Sequence, residues 1–369
     1  MYKCNCFFTY NRKVTISNQI LLTFVKKKLA YFFDIFNFIS KLSLYKLYNA
    51  LIIYSTFYIS RFLKKPIIWG LPFTLSFEPT TTCNLSCPEC PSGLKNFTRK
   101  IGDSEWGKYQ KWINEVHSHL IYLYLYFQGE PFMNKDFCKM IKEAHDKNIY
   151  TVTSTNGHFL TSRVAEEVVA SGLDRLIISI DGSTQEVYEQ YRKGGKLEKV
   201  LLGTQNIIDA KRKARSKKPY IIFQMLVVAP NEHQIEDVKA IGKKMGVDKI
   251  ILKTAQIYDF EQGNELIPKQ DKYSRYKKRA DGTYTIKNEM KNQCWKLWHS
   301  AVSTFDGQIL PCCFDKDAQY NMGKWEENHF NNIWKSKNYD DFRQKLLLSR
   351  SGIDICKNCS EGTKVWESI

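Results

Sequence analysis

Cys83, Cys87 and Cys90 stand within eight residues of one another in "PTTTCNLSCPECPSG", Pro79 to Gly93, on the spacing Cys-x3-Cys-x2-Cys. No fourth cysteine lies nearby. A structural zinc site takes four protein ligands in a closed tetrahedron, which this loop does not supply. Three thiolates suit an iron–sulfur cube better, because one iron is then left for an exogenous ligand. A second group of thiols follows in the last third of the chain. Cys294 is succeeded by "FDGQILPCC", with Cys312 and Cys313, and then by "CKNC", with Cys356 and Cys359. A zinc ribbon is the competing reading for this second group. Elsewhere the inventory is plain: there is no His-Glu-x-x-His pair and no phosphate-binding Gly-x4-Gly-Lys-Ser/Thr loop. His117 and His119 are two apart and cannot share a helix face, and Cys4, Cys6 and Cys138 read as spare thiols.

Strand ends must position the first cysteine loop. Six short apolar runs rich in β-branched and aromatic residues read as buried strands: 73–77, 121–127, 149–154, 175–180, 220–228 and 249–255. Amphipathic helices fit between them. Trp106, Tyr109, Ile113 and Val116 form one face, Val164, Val168 and Val169 another, and Ile235, Val238, Ile241 and Met245 a third. The alternation predicts an α/β fold with a parallel sheet and right-handed crossovers, either doubly wound or an incomplete barrel. In both, ligands collect at the carboxyl ends of the strands, where Cys83 to Cys90 lie.

Here the pattern resembles a known family. "CNLSCPEC" after the first strand of six β/α units is similar to the signature of the radical S-adenosylmethionine (radical SAM) enzymes. The resemblance implies a partial (β/α)6 TIM-type barrel. Cys83, Cys87 and Cys90 would hold a [4Fe-4S] cluster whose fourth iron is chelated by S-adenosyl-L-methionine. "YFQGEP" resembles the element that contacts the SAM amino group, which implies Gly129 and Glu130. "SIDG" implies Ser179 and Asp181 at the SAM ribose and carboxylate, "YRKGG" implies Arg192 at the carboxylate, and "TNG" places Asn156 near the same pocket. The chain departs from the family in having Glu89 where an aromatic residue is usual and Gln128 in place of a glycine.

Cys-x12-Gly-x4-Cys followed by Cys-x2-Cys resembles the SPASM/twitch extension of these enzymes. This implies one auxiliary [4Fe-4S] cluster on Cys294, Cys312, Cys356 and Cys359, with Cys312 favoured over Cys313 by its spacing from Gly307. A hairpin turn is expected at Asp306-Gly307. The resemblance further implies a low-potential electron donor of flavodoxin or ferredoxin type, and a peptide or sugar-type substrate modified at a C–H position while the auxiliary cluster accepts an electron. No residue is singled out as the catalytic base; Glu78 and Asp181 read as cluster-side or cofactor-side groups.

Composition sets the remaining bounds. In 369 residues, 43% hydrophobic and 14% aromatic, there is room for a catalytic domain and one or two smaller units. The expected division is a basic, aromatic-rich helical extension at 1–70, the barrel at 71–258, and a linker with the auxiliary-cluster domain at 259–369. Eleven cysteines in local clusters, with no legible signal peptide, fit a reducing compartment, so a cytoplasmic protein is expected. The net charge is +17, yet residues 1–70 hold eleven Lys or Arg against one acid, Asp34. Uncharged runs there, Val14 to Val25 and Leu47 to Ser60, fall short of the ~20 residues of a spanning helix. Leu44, Leu47, Leu51, Tyr54, Tyr58 and Phe62 recur at three or four, which predicts a helix with apolar faces and basic ends. A helical pair packed on the main domain is the first expectation; peripheral contact with the inner face of a membrane is the second. "KRKARSKK" (211–218) closes a predicted helix, where positive charge suits the helix dipole and a solvated face is expected. The basic charge keeps open a nucleic-acid-binding iron–sulfur or zinc protein, or a radical enzyme acting on RNA, but no base-recognition motif accompanies it.

Overall fold

A computed structural model of the chain describes residues 28–287 and 289–359 and the backbone of 366–368. Cys4, Cys6 and the run Val14 to Val25 lie outside the described residues. Two helices come first, α1 (residues 28–40) and α2 (Leu44–Leu63), with Ser43 capping α2 through the Lys46 amide. Then β1 (Thr74–Phe77) leads through α3 (Pro91–Leu94) and α4 (Trp106–Val116) to β2 (Tyr122–Tyr124) and α5 (Phe137–Asp146). β3 (Tyr150–Thr155), α6 (Ser162–Ala170), β4 (Arg175–Ser179), α7 (Gln185–Tyr191), α8 (Leu197–Lys213), β5 (Tyr220–Val227), α9 (Ile235–Met245) and β6 (Lys249–Thr254) continue the alternation. The C-terminal part holds a hairpin of β7 (Tyr276–Lys278) and β8 (Tyr284–Ile286), α10 (Lys296–His299), β9 (Ser300–Ser303), β10 (Gln308–Leu310) and β11 (Gly323–Lys324). It ends with α11 (Phe330–Trp334), α12 (Lys337–Ser349), α13 (Asp354–Lys357) and β12 (Trp366–Ser368).

Strands β1 to β6 are parallel neighbours in chain order, the incomplete barrel expected from the six runs. Side-chain alternation separates two layers. Leu123, Leu176, Phe223 and Leu252 point outward under the helices and are fully buried, whereas Tyr124, Ile177, Gln224 and Lys253 point into the lumen and stay half-exposed. The outer helices supply the matching stripes, with Tyr109, Ile113 and Val116 of α4 and Val168 of α6 at zero exposure.

A six-stranded open sheet leaves two edges with unpaired backbone groups. C-terminal strands take both. β9 runs parallel to β1 and continues antiparallel into β10 and β11, while β12 pairs antiparallel with β6. The reversal between β9 and β10 falls at Asp306-Gly307, where Gly307 adopts φ +90°.

The N-terminal pair packs on the barrel, but by the face opposite to the one its apolar periodicity suggests. Leu44, Leu47, Leu51, Tyr54, Tyr58 and Phe62 are all exposed, and α2 buries Lys46, Asn49, Ile53, Thr56, Phe57 and Ser60 instead. The reason lies in what the helices cover. The amino ends of the barrel strands present unpaired backbone groups and Asp174, and these need polar partners. Lys41 Nζ donates to Asp174 Oδ2 at 2.7 Å and to the Ile149 carbonyl at 2.9 Å. Lys46 Nζ donates to the Asn148 carbonyl at 2.7 Å, and Asn49 bonds both backbone groups of Leu71. Asp34 accepts from Arg175 Nε at 2.9 Å and from the Tyr150 hydroxyl.

The basic run 211–218 is largely tied into the fold. Lys211 meets Asp248 and the Pro219 carbonyl, Arg212 meets Asp209, Lys213 meets Glu166, and Lys218 meets Asp174. No helix of the described residues is long and apolar enough to cross a membrane.

Candidate active site

The cysteine loop leaves β1 at Glu78 and is held from several sides. Glu78 is fully buried and accepts both ends of the Arg99 guanidinium, at 2.6 and 2.8 Å, together with the Phe305 amide at 3.2 Å. Burial pushes its carboxyl above the usual range, and Arg99 and the amide offset part of that rise. Arg99 Nε also donates to the Lys316 carbonyl. The pair thus joins the base of the loop to the C-terminal segment, and Glu78 is committed to this structural contact. Further along, the Ser86 amide donates to the Lys193 carbonyl, and Asn134 Nδ2 spans the carbonyls of Pro79 and Ser104.

All three thiols of the loop are free. Burial pushes the Cys83 thiol up to about 11, and raises Cys87 against the opposing pull of Arg192. A buried sulfur held this far from ionisation loads metal with release of its proton. The donor set of three sulfurs in one loop, with a guanidinium beside Cys87 to offset thiolate charge, fits an iron–sulfur cluster.

Gly129 presses on this loop from the end of β2. Its φ is +72°, and a Cβ there would lie 2.4 Å from the Thr80 carbonyl oxygen and 2.8 Å from that of Thr82. Only glycine permits this approach. The Gly129 amide donates to Ser92 Oγ, and the Glu130 amide to the Thr82 carbonyl. Glu130 is buried, and burial pushes its carboxyl up to about 7. Its Oε1 accepts from Thr155 Oγ1 at 2.7 Å and from the Phe132 amide at 3.3 Å, and its Oε2 accepts from the Asn156 amide at 2.7 Å. A carboxylate offers about four lone-pair directions, so one on Oε2 stays open. Asn156 donates through Nδ2 to Asn84 Oδ1 at 2.8 Å and reaches the Cys83 sulfur at 3.9 Å.

Ser179 and Asp181 sit at the end of β4, both buried. Asp181 accepts from Arg192 Nε at 2.5 Å and from the Leu226 amide at 2.6 Å, and Asn231 Nδ2 donates to its carbonyl. Asp181 therefore orients Arg192 beside Cys87. Glu89 accepts the Tyr258 amide at 2.8 Å, which ties the segment after β6 to the cysteine loop.

A second set of thiols gathers at the gap between the sheet edges. Cys294, Cys313 and Cys359 all lie close enough to Cys312 to raise its pKa. Arg350 stands against Cys294, Cys356 and Cys359, and burial pushes Cys356 up to about 11. Cys313 hydrogen-bonds Cys312 through its side chain. It lies beside Tyr124 and Tyr126, with Lys296 Nζ 4.0 Å from its sulfur. Lys316 lies within electrostatic reach of both Cys90 and Cys313. Burial lowers Lys253, pointing inward from β6, to about 8. Among the described residues no group of three His, Cys, Asp or Glu side chains is set to hold a lone metal ion.

Several of these partners carry no sequence signal. Arg99 and Asn231 belong to no spaced motif, and Asn84 and Ser92, although they lie within the cysteine stretch, are not among its spaced residues. Lys253 is the exception: a lysine in an otherwise apolar run could have been picked out as a lumen-facing charge by strand alternation.

Comparisons with known proteins agree with this arrangement. The Radical SAM superfamily model matches residues 77–243, and the SPASM model, an iron-sulfur cluster-binding domain, matches 294–360. The chain is 22% identical over 329 residues to the tungsten-containing aldehyde ferredoxin oxidoreductase cofactor-modifying protein of Pyrococcus furiosus, covering 78% of this chain and 86% of that protein. It is 31% identical over 144 residues to the AdoMet-dependent heme synthase of Methanosarcina barkeri, covering 39% of this chain and 40% of that one. The fold is shared with BtrN in complex with AdoMet and 2-DOIA, at TM-score 0.51 and 19% identity over 80% of this chain and 95% of that one. It is shared also with Streptococcus suis SuiB bound to S-adenosylmethionine, at TM-score 0.59 and 13% identity over 80% and 73% of the respective chains. The chain carries the family's cofactors, a [4Fe-4S] cluster with SAM and an auxiliary iron–sulfur cluster in its SPASM region. A thiol trio at the mouth of a six-stranded partial barrel, a second thiol group at its open side and two matching family models make this chain a member of the radical SAM superfamily, in its SPASM subgroup.

Proposed function

We propose that this enzyme oxidises or otherwise modifies an unactivated C–H position of a peptide or sugar-type substrate, with the auxiliary cluster as electron acceptor. One observation carries the reading: the chain holds two separate thiol groups, the trio after β1 and a second set around Cys312, with Lys316 within electrostatic reach of Cys90 in the first and Cys313 beside the second. When bound, the reduced cluster and SAM supply a 5′-deoxyadenosyl radical able to abstract hydrogen from such a C–H bond. The chain's own residues bind, orient and exclude water.

In this reading Cys83, Cys87 and Cys90 hold the first cluster. The open Oε2 direction of Glu130 takes the SAM ammonium, and Gly129 lets the backbone approach. Asp181 holds Arg192 for the SAM carboxylate, and Asn156 and Ser179 complete the wall. Cys294, Cys312, Cys356 and Cys359 hold one auxiliary [4Fe-4S] cluster, with Cys312 favoured by its spacing from Gly307 over Cys313, to which it is hydrogen-bonded. A flavodoxin- or ferredoxin-like donor supplies the electron. The half-exposed lumen residues Tyr124, Gln224 and Lys253 offer hydrogen bonds and positive charge to a polar substrate. Structures of relatives with this fold support both substrate classes: one holds BtrN with 2-DOIA, another SuiB with its precursor peptide SuiA.

The test is analytical and kinetic. Anaerobically reconstituted protein should contain about eight irons, four for each cube. Cys83→Ala should lose about half of that iron and all release of 5′-deoxyadenosine. Cys356→Ala should lose the other half and stop product formation, while uncoupled SAM cleavage continues. Release that survives Cys83→Ala would sink the assignment.

A further inference from the structure

The α1–α2 pair is amphipathic the wrong way round for a helix pair facing water. Among the described residues, sixteen of the 21 exposed large hydrophobic side chains fall between Leu29 and Trp69. Leu44 and Phe62 are each 87% exposed and Phe36 71%. An apolar surface of this size exceeds the few hundred Å² usual on a soluble monomer. The polar side chains that would ordinarily face solvent, Lys41, Lys46 and Asn49, are spent on the strand ends.

Charge identifies what covers this face. The only acid in the first 70 residues, Asp34, is buried against Arg175. The exposed charges on the described part of the surface are therefore all positive: Lys28, Arg61, Lys64 and Lys65. Five tyrosines and tryptophans with wet tips and apolar bodies, Tyr45, Tyr48, Tyr54, Tyr58 and Trp69, accompany them, the residue types that settle at headgroup depth. Two copies of the chain packed through this face would bring like charges together, whereas anionic headgroups neutralise them.

We infer that α1 and α2 form an interfacial docking surface for an anionic lipid bilayer, lying on it rather than crossing it. Both helices hydrogen-bond the first residues of strands, Tyr150, Arg175 and the segment before β1, and α2 also packs through Phe57 and Ser60 on Trp295 and Trp298, just ahead of β9. The cysteine loop lies at the opposite strand ends, roughly 20 Å away along a six-residue strand. Docking through α1 and α2 thus turns the mouth of the barrel away from the lipid, so the substrate enters from water.

Vesicle flotation of the full, anaerobically reconstituted chain tests this. Strong co-flotation is expected with vesicles of phosphatidylcholine plus phosphatidylglycerol, and weak co-flotation with phosphatidylcholine alone. Leu51→Asp and Phe62→Asp should each cut the partition coefficient roughly tenfold or more. Lys64→Gln and Lys65→Gln should each cut it about fivefold, with added salt acting in the same direction. Circular dichroism and uncoupled 5′-deoxyadenosine release should be unchanged in all four variants, which separates loss of docking from loss of fold or chemistry. Three results overturn the inference: no flotation with the anionic vesicles, equal flotation with both compositions, or variants that float like the parent. A self-association that Leu51→Asp abolishes, with no lipid binding in the parent, would assign the face to a second copy instead.

Discussion

Arg99→Ala removes one half of a buried ion pair and leaves the other half in place. Glu78 has no solvent exposure and the Arg99 side chain 4%, with bidentate contacts at 2.6 and 2.8 Å. Breaking such a pair from one side costs about 3–5 kcal/mol, because an uncompensated carboxylate stays buried. At about 2.1 cal/mol/K of unfolding entropy per residue, a chain of 369 residues shifts by about 1.3 °C per kcal/mol, so the melting temperature should fall by about 4–7 °C. Replacing both partners with apolar residues, Glu78→Leu with Arg99→Met, should recover much of that loss. The pH dependence has a definite sign. Without Arg99, the folded-state pKa of Glu78, already raised by burial, climbs further above its unfolded value. Between those two values the folded state holds a proton that the unfolded state has lost, so stability declines as pH rises through that window. The deficit of Arg99→Ala relative to the parent should therefore narrow on acidification. Anaerobic thermal melts of both reconstituted proteins across pH, with iron content measured alongside, provide the assay. A melting temperature unchanged by Arg99→Ala, or a deficit that widens toward low pH, would refute the reasoning.

Two further outcomes concern the proposed cofactor pocket. Gly129→Ala places a methyl group 2.4 Å from a backbone carbonyl of the cysteine loop and imposes left-handed strain of about 1–2 kcal/mol on alanine, so the loop must shift. SAM affinity measured by calorimetry should drop at least tenfold, on the order of 1.4 kcal/mol, with the auxiliary iron retained. Glu130, held near 7 by burial, must be ionised to receive an ammonium group, so the SAM dissociation constant should rise as pH falls below about 7. Glu130→Gln should bind weakly and show a flat profile; a parent profile equally flat would remove Glu130 from that role.

Much of the architecture was legible because it rests on local periodicity. The six strand runs, the helix faces Tyr109–Ile113–Val116 and Ile235–Val238, and the turn at Gly307 depend on alternation, a 3.6-residue repeat and a residue that tolerates positive φ. Cysteine spacing was equally informative, since three thiolates in one loop can do few things. What the chain order does not encode is which distant groups meet. That Glu78 is neutralised by Arg99, that Asp181 is occupied by Arg192, and that Cys312 meets Cys294 and Cys359 are decided by tertiary packing, the last by how the C-terminal segment folds back on itself. The α2 helix marks the boundary most clearly. Its periodicity established an amphipathic helix, but the side turned inward was set by the hydrogen-bonding demand of the strand ends beneath it, which drew Lys46 and Asn49 in and left Leu51 and Phe62 outside. A hydrophobic repeat specifies that a face exists; the partner available in three dimensions specifies where it points.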